Sequence, residues 1–346
     1  MPGQADILVR PPVPGRPPLG VWDQGKRPTR EIPGFFGRRL LEMSLPPVRA
    51  DRKKCVPDFR QERWKIVGAA RACYNGPAGR KNSTMDREGS DMLKYEGVDL
   101  DFSLAGKTAI ITGGAAGIGY ATAQFFHDKG VNVVLADLNP EVDAIAKGLG
   151  ENAIGVPGNV CDRAYPLQVI EAGVKAFGKI DILVNSAGIV ALESAEIISE
   201  KDWTRTIDIN LSASFFMAQA VGKYMIDEKI GGSIVNMASQ AGVIALDKHV
   251  AYCASKGGII SMTQVLAMEW GRYGIRVNAV SPTVVLTALG HKAWDGPVGD
   301  AFKKEMPSER FAEPEEIAAV IAFLCSKAAG MITGHNLLVD GGFTIK

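Results

Sequence analysis

Residues Thr112–Gly119 read TGGAAGIG, and four of the eight are glycine. The apolar run Ala109-Ile110-Ile111 precedes them and a helical pattern follows. A tight strand-to-helix turn needs backbone angles that glycine adopts at little cost. A missing Cβ also lets an anionic group approach the backbone. The helix start beyond it offers unpaired N–H groups and partial positive charge. The spacing of Gly113, Gly117 and Gly119 is GxxxGxG rather than GxGxxG. Taken alone, such a turn is as readily structural as ligand-binding. If it binds a diphosphate, Gly113, Ala116, Gly117, Ile118 and Gly119 are the expected contacts.

Outward from this turn the chain alternates short apolar runs with helical patterns. Strands are expected in KTAIITG (107–113), VNVVLAD (131–137), NAIGVPGNV (152–160), IDILVNSAG (180–188), GSIVNMAS (232–239), IRVNAVSP (275–282) and HNLLVDGG (335–342). Helices are expected at 115–130, 141–150, 163–178, about 202–228, 249–272 and 314–326. Pro166 falls in the first turn of its helix. Strands with few polar residues, alternating with helices, imply a parallel sheet covered on both faces. The expected fold class is α/β, a single doubly wound parallel-sheet domain. Such a sheet binds its ligand at the C-terminal strand ends.

The beginning of the chain does not follow this pattern. Residues 1–84 hold twelve of the nineteen prolines and 17 Lys+Arg against 7 Asp+Glu. Their apolar periodicity is poor, so they cannot bury enough surface to offset the entropy of ordering. Residues 1–98 are read as a Pro/Arg-rich, disordered extension and 99–346 as the folded domain. Three readings of the extension stand: a targeting peptide, a basic tail for nucleic acid or anionic lipid, and a segment without function. The last is preferred, because starts at Met85 or Met92 would still leave 262 or 255 residues. The whole chain has 346 residues, is 46% hydrophobic and carries a net charge of +1. A general nucleic-acid or membrane-surface role is therefore not indicated. No apolar run reaches the roughly 18 residues of a membrane span. The cysteines are five and scattered, with no metal-ligand spacing, so a reducing cytoplasm and no metal are expected.

Asp137 closes the second strand, 24 residues after Gly113. A carboxylate there can accept both hydroxyls of an adenosine ribose and repels a 2′-phosphate. Leu138 and Asn139 follow it, and Ala116 stands where a basic residue could serve NADP. NAD is the expected cofactor, although an aspartate there can also be a turn or helix-cap residue.

YCASK (252–256) puts Tyr252 and Lys256 four apart, on one helix face. Ser239 lies 13 residues before Tyr252, just past a strand. Removing hydride from an alcohol needs a base for the hydroxyl proton. Lowering a tyrosine pKa of about 10 by two to three units takes roughly 3–4 kcal/mol. One ammonium at about 4 Å supplies nearly that at an effective dielectric of about 20. Ser239 would hold the reacting oxygen. A serine hydrolase is disfavoured, since no GxSxG elbow is present.

TGGAAGIG, NSAG (185–188), Asn210 in DINLS, Ser239, YCASK and VNAVSP (277–282) occur in order and at suitable spacing. From about Asp99 to Lys346 the chain resembles the short-chain dehydrogenase/reductase family, a Rossmann-like fold. The resemblance implies a catalytic tetrad of Asn210, Ser239, Tyr252 and Lys256, with Asn210 anchoring a proton-relaying water. It also implies Asp162 at the adenine edge and Asn185, Ala187 and Gly188 along adenine and ribose. Val285 and Thr287 are placed at the nicotinamide carboxamide, and subunit pairing into a tetramer, or alternatively a dimer, through the helices near 202–228 and 249–272. Two positions depart from the family pattern: Ser186 replaces a second Asn, and Thr283 stands where glycine usually follows the proline.

Within the family, residues 237–263 and 281–299 are most similar to NAD-dependent polyol dehydrogenases. D-threitol is the first substrate this suggests, with glycerol and sugar alcohols behind it. The expected reaction oxidises a secondary hydroxyl to a ketone with Tyr252 as base. Polyol hydroxyls need replacements for their lost water contacts, and Gln240, His249 and Trp294 are the candidates. Residues 286–306, rich in glycine, read as a mobile lid. A 3-oxoacyl thioester reductase and a non-catalytic dinucleotide-binding protein are the alternatives.

Overall fold

The computed structural model describes residues 101–346, so the expected extension (1–98) lies outside the described residues. The chain runs β1 (Thr108–Thr112), α1 (Gly117–Asp128), β2 (Asn132–Asp137), α2 (Val142–Leu149), β3 (Ala153–Pro157), α3 (Tyr165–Phe177), β4 (Ile182–Asn185) and α4 (Glu200–Ile207). It continues through α5 (Ala213–Asp227), β5 (Gly232–Met237), α6 (Val250–Trp270), β6 (Ile275–Pro282), α7 (Ala288–Trp294), α8 (Pro297–Glu305), α9 (Pro314–Cys325) and β7 (Asn336–Val339). The seven strands form one sheet in the order β3-β2-β1-β4-β5-β6-β7, and every pairing is parallel. The chain leaves β1 toward β2 and β3, then crosses back to β4. The switch point lies between β1 and β4, where such sheets place ligands.

The apolar runs are continuous because the sheet is buried on both faces. Successive side chains point to opposite sides of a strand. Ile111, Val133 and Leu135 therefore join Phe126 of α1 and Ile317 and Ile321 of α9 in one core. Their neighbours Ile110, Val134 and Ala136 join Val169 of α3 and Met217 and Val221 of α5 in the other.

One segment differs from expectation. The long helix expected near 202–228 is broken by a π turn at Asp208–Ser212. There the Ala213 N–H reaches back to the Asp208 carbonyl, five residues earlier. One extra residue in a helical turn is a device that recurs at functional positions. The break sits where the Asn210 side chain is tied to the loop after β4. Residues 286–306, expected as a mobile lid, carry α7 and α8. Thr287 caps α7 by accepting the Gly290 N–H at 3.1 Å. Gly299 is obligatory in α8, because a Cβ there would lie 1.7 Å from the Trp294 carbonyl oxygen.

Candidate active site

A cleft of about 430 Å³ opens past the C-terminal ends of β1, β4, β5 and β6, within the size range of small-ligand sites. The glycine turn forms one wall. Gly113 adopts φ +66°, and a Cβ on it would lie 3.0 Å from the Ala187 nitrogen. A Cβ on Gly119 would come 2.1 Å from the Gly113 carbonyl oxygen. Both positions therefore exclude any side chain, and with Ala116, Gly117 and Ile118 they leave bare backbone facing the cleft. This cradle at the start of α1 suits a diphosphate.

Asp137 borders the same wall. Its carboxylate accepts the Ala115 N–H at 3.0 Å and the Asn139 N–H at 2.9 Å, which bridges the glycine turn to the turn after β2. A carboxylate has lone pairs for more than two donors, so this structural duty leaves capacity for ribose hydroxyls. Leu138 beside it is apolar and 72% exposed, so this position supplies no cation for a 2′-phosphate. The residues present fit a nicotinamide dinucleotide without that phosphate.

The loop after β4 is held by Thr112, whose Oγ1 accepts the N–H groups of Ser186 and Ala187, each at 3.1 Å. This residue was missed in the sequence; its signal was a hydroxyl directly after the apolar run Ala109-Ile110-Ile111. Ser186, Ala187, Gly188, Ile189 and Val190 then line the cleft. Asn210 clamps this loop. Its Oδ1 accepts the Ile189 N–H at 2.8 Å, and its Nδ2 donates to the Ile189 carbonyl at 2.9 Å and to Ser255 Oγ at 3.0 Å. A Cβ on Gly188 would sit 3.3 Å from Asn210 Oδ1 and 3.7 Å from Lys256 Nζ, so glycine lets these side chains approach.

Ser239, Tyr252 and Lys256 converge on the cleft. Ser239 accepts the Ala241 N–H at 3.1 Å, which fixes its side chain at the end of β5. Lys256 is buried in α6 and donates to the Met237 carbonyl at 2.6 Å. Burial pulls its ammonium down to about 8. Its Nζ lies 5.6 Å from the centre of the Tyr252 ring. Burial pushes the Tyr252 phenol above its ordinary value, and the Ser239 hydroxyl pulls the other way.

The far wall is Pro282, Thr283, Val285, Thr287 and Ala288. Six residues expected at the cleft are not brought to its lining: Asp162, Asn185, Asn210, Gln240, His249 and Trp294. The Asp162 carboxylate accepts the Ala164 N–H at 3.0 Å and shapes the turn before α3. Asn185 faces inward, donating to the Ser214 carbonyl at 3.0 Å and to Asn236 Oδ1 at 2.9 Å. Gln240 is 2% exposed, and its Oε1 has no partner among the described residues. Trp294 packs against Phe302 and Phe311 at 5.0 and 6.0 Å between ring centres, because an indole gains most in an aromatic cluster. His249 is also absent from the lining but stands beside it, its ring 6.1 Å from that of Tyr252.

Comparison with known proteins agrees with this geometry. The family model described as Enoyl-(Acyl carrier protein) reductase matches residues 113–344. The D-threitol dehydrogenase of Mycolicibacterium smegmatis is 55% identical over 253 residues, covering 72% of this chain and 97% of its own. The NAD-dependent glycerol dehydrogenase of Listeria innocua is 51% identical over 255 residues, covering 73% of this chain and 100% of its own. The crystal structure of gox2181 superposes with a TM-score of 0.67 at 35% identity, over 71% of this chain and 98% of that one. In agreement with its glycine cradle, switch-point cleft and Ser-Tyr-Lys convergence, this chain belongs to the short-chain dehydrogenase/reductase family.

Proposed function

We propose that this protein oxidises a secondary hydroxyl of a short polyol to a ketone, passing the hydride to NAD⁺. The observation that carries the reading is the convergence of Ser239, Tyr252 and Lys256 on the cleft that the glycine turn and Asp137 also line. The similarity to dehydrogenases named for D-threitol and glycerol supports the substrate class.

The turn at 113–119 would hold the diphosphate, Asp137 the adenosine ribose, and Ala187, Gly188, Val285 and Thr287 the nicotinamide half. When bound, NAD⁺ supplies the hydride acceptor and a positive charge. Ser239 orients the reacting oxygen. Tyr252 takes the hydroxyl proton, and Lys256 provides the cationic surroundings that a buried phenolate requires. Asn210 is a positioning residue, since its bonds to Ile189 and Ser255 join the loop after β4 to α6. His249 stands beside Tyr252 and is the remaining candidate for a substrate hydroxyl. The reading places the enzyme in the cytoplasm, supported by the free thiols Cys161, Cys253 and Cys325. It also takes the enzyme as a homotetramer or dimer, with Val265 and Met268 of α6 exposed for pairing.

The test is NADH formation from NAD⁺ across three- to six-carbon polyols, with Tyr252→Phe as the control. Wild type should prefer a tetritol or glycerol. The variant should lose roughly 10²–10⁴-fold in kcat, the usual contribution of a general base, while binding NADH as wild type does. Undiminished turnover by the variant would remove Tyr252 from the mechanism.

A further inference from the structure

Among the described residues, three buried side-chain polar atoms find no hydrogen-bond partner: Asn185 Oδ1, Gln240 Oε1 and Thr283 Oγ1. Of these residues, Thr283 alone lines the cleft. Its backbone is anchored, with the N–H donating to the Val339 carbonyl at 3.1 Å, and only 8% of the residue is exposed. Register fixes its neighbourhood. Met237 of β5 pairs with Val280 of β6. Ser239 and Thr283 therefore leave adjacent parallel strands two and three residues past that pair, at the same end of the sheet.

A buried hydroxyl without a partner is a standing cost to the free protein. Valine would have the same shape without that cost. A polar group beside a reaction centre that no protein group satisfies is available to a ligand group. A threonine hydroxyl both donates and accepts, which suits another hydroxyl. A polyol presents one on the carbon next to the reacting carbon, and a monohydric alcohol does not.

We propose that Thr283 recognises that second hydroxyl and so makes the site selective for polyols over monohydric secondary alcohols. This rests on the polyol reading above. A site built to bond a hydroxyl discriminates strongly against the analogue that lacks it, because its own group is then left unpaired.

The experiment compares wild type, Thr283→Val and Thr283→Ser on threitol, glycerol and butan-2-ol, with NADH affinity and thermal stability measured alongside. Thr283→Val should lower kcat/KM for threitol roughly ten- to a hundredfold. It should leave kcat/KM for butan-2-ol and the NADH affinity within about twofold, and its melting temperature should stay level or rise. Thr283→Ser should recover most of the threitol activity. Equal losses on threitol and butan-2-ol would overturn the proposal, and so would weakened NADH binding, which would assign the hydroxyl to the cofactor. Undiminished threitol activity in Thr283→Val would sink this inference alone. A wild type that oxidises butan-2-ol but no polyol would sink the polyol reading and the inference with it.

Discussion

The glycine turn at 113–119 and the segment at 283–306 meet across the cleft, where a Cβ on Gly117 would come within 3.3 Å of Thr287 Cγ2. The turn is made of backbone. Its shape follows from what neighbouring main-chain atoms leave room for, and its supports are close: Ala136, Asp137 and Ala187. The opposite segment is made of side chains. Trp294, Phe302 and Phe311 form one cluster with Met306 and Phe343, the last being 41 residues beyond Phe302 and stacked on it at 4.5 Å. Ile244, from the loop between Ser239 and Tyr252, packs on the same cluster. One wall is thus specified locally and to within an ångström, the other by apolar contacts between distant parts of the chain. Each should fail in its own way.

The largest effect belongs to the backbone wall. Gly119→Ala forces a methyl to 2.1 Å from the Gly113 carbonyl oxygen, and neither atom belongs to a flexible side chain. The turn must open, so NADH binding should weaken at least a thousandfold, roughly 4 kcal/mol. The sheet should survive, because both cores lie beneath the turn. Fluorescence titration with NADH alongside a thermal melt separates the two; retained affinity would show that the turn tolerates a Cβ.

A mutation on the packed wall should do the reverse. Phe343→Ala removes a buried ring from the aromatic cluster. It should cost about 3 kcal/mol of stability, the lower end for such truncations because the ring is 7% exposed rather than fully buried. KM for NAD⁺ and polyol should rise severalfold, since Val284, Leu286 and Trp294 pack on that cluster. A loss of stability with unchanged kinetics would show that the segment keeps its place without the cluster.

The same contrast explains what could be read in the sequence. Gly113, Gly117, Gly119 and Asp137 were legible because each answers a steric or charge demand set within about 25 residues. Tyr252 and Lys256 were legible because one helix face carries both. Trp294 was misplaced because its partners lie at 302 and 311, and nothing local distinguishes a packed indole from one facing a ligand. Asn185 was misplaced by strand alternation: it is a polar residue at the right strand end, but it pairs with Asn236 across the sheet and bonds there. The π turn was hidden because the helical pattern continues through DINLSASFF with no Gly or Pro to interrupt it.

Lys256 stands between the two walls and gives the smallest and most pH-sensitive effect on stability. Burial lowers its pKa from 10.5 to about 8, and its one hydrogen bond here is to the neutral carbonyl of Met237. Below pH 8 the lysine is protonated in both folded and unfolded chains, and the full burial penalty opposes folding. Between pH 8 and 10.5 the unfolded chain holds the proton that the folded chain has released, so stability rises with pH. Above 10.5 both forms are neutral and the dependence ends. Lys256→Met keeps the bulk and drops the charge. At pH 7 it should gain about 1–2 kcal/mol, less than the full shift implies because the Met237 carbonyl loses its donor. That advantage should shrink as pH approaches 10. Urea titrations of both proteins at pH 7 and pH 10 measure it, and turnover should be lost in the variant at either pH. A variant less stable than wild type at pH 7 would mean that the carbonyl bond outweighs the burial of the charge. The lysine would then be part of the framework that holds β5 to α6 as well as part of the chemistry.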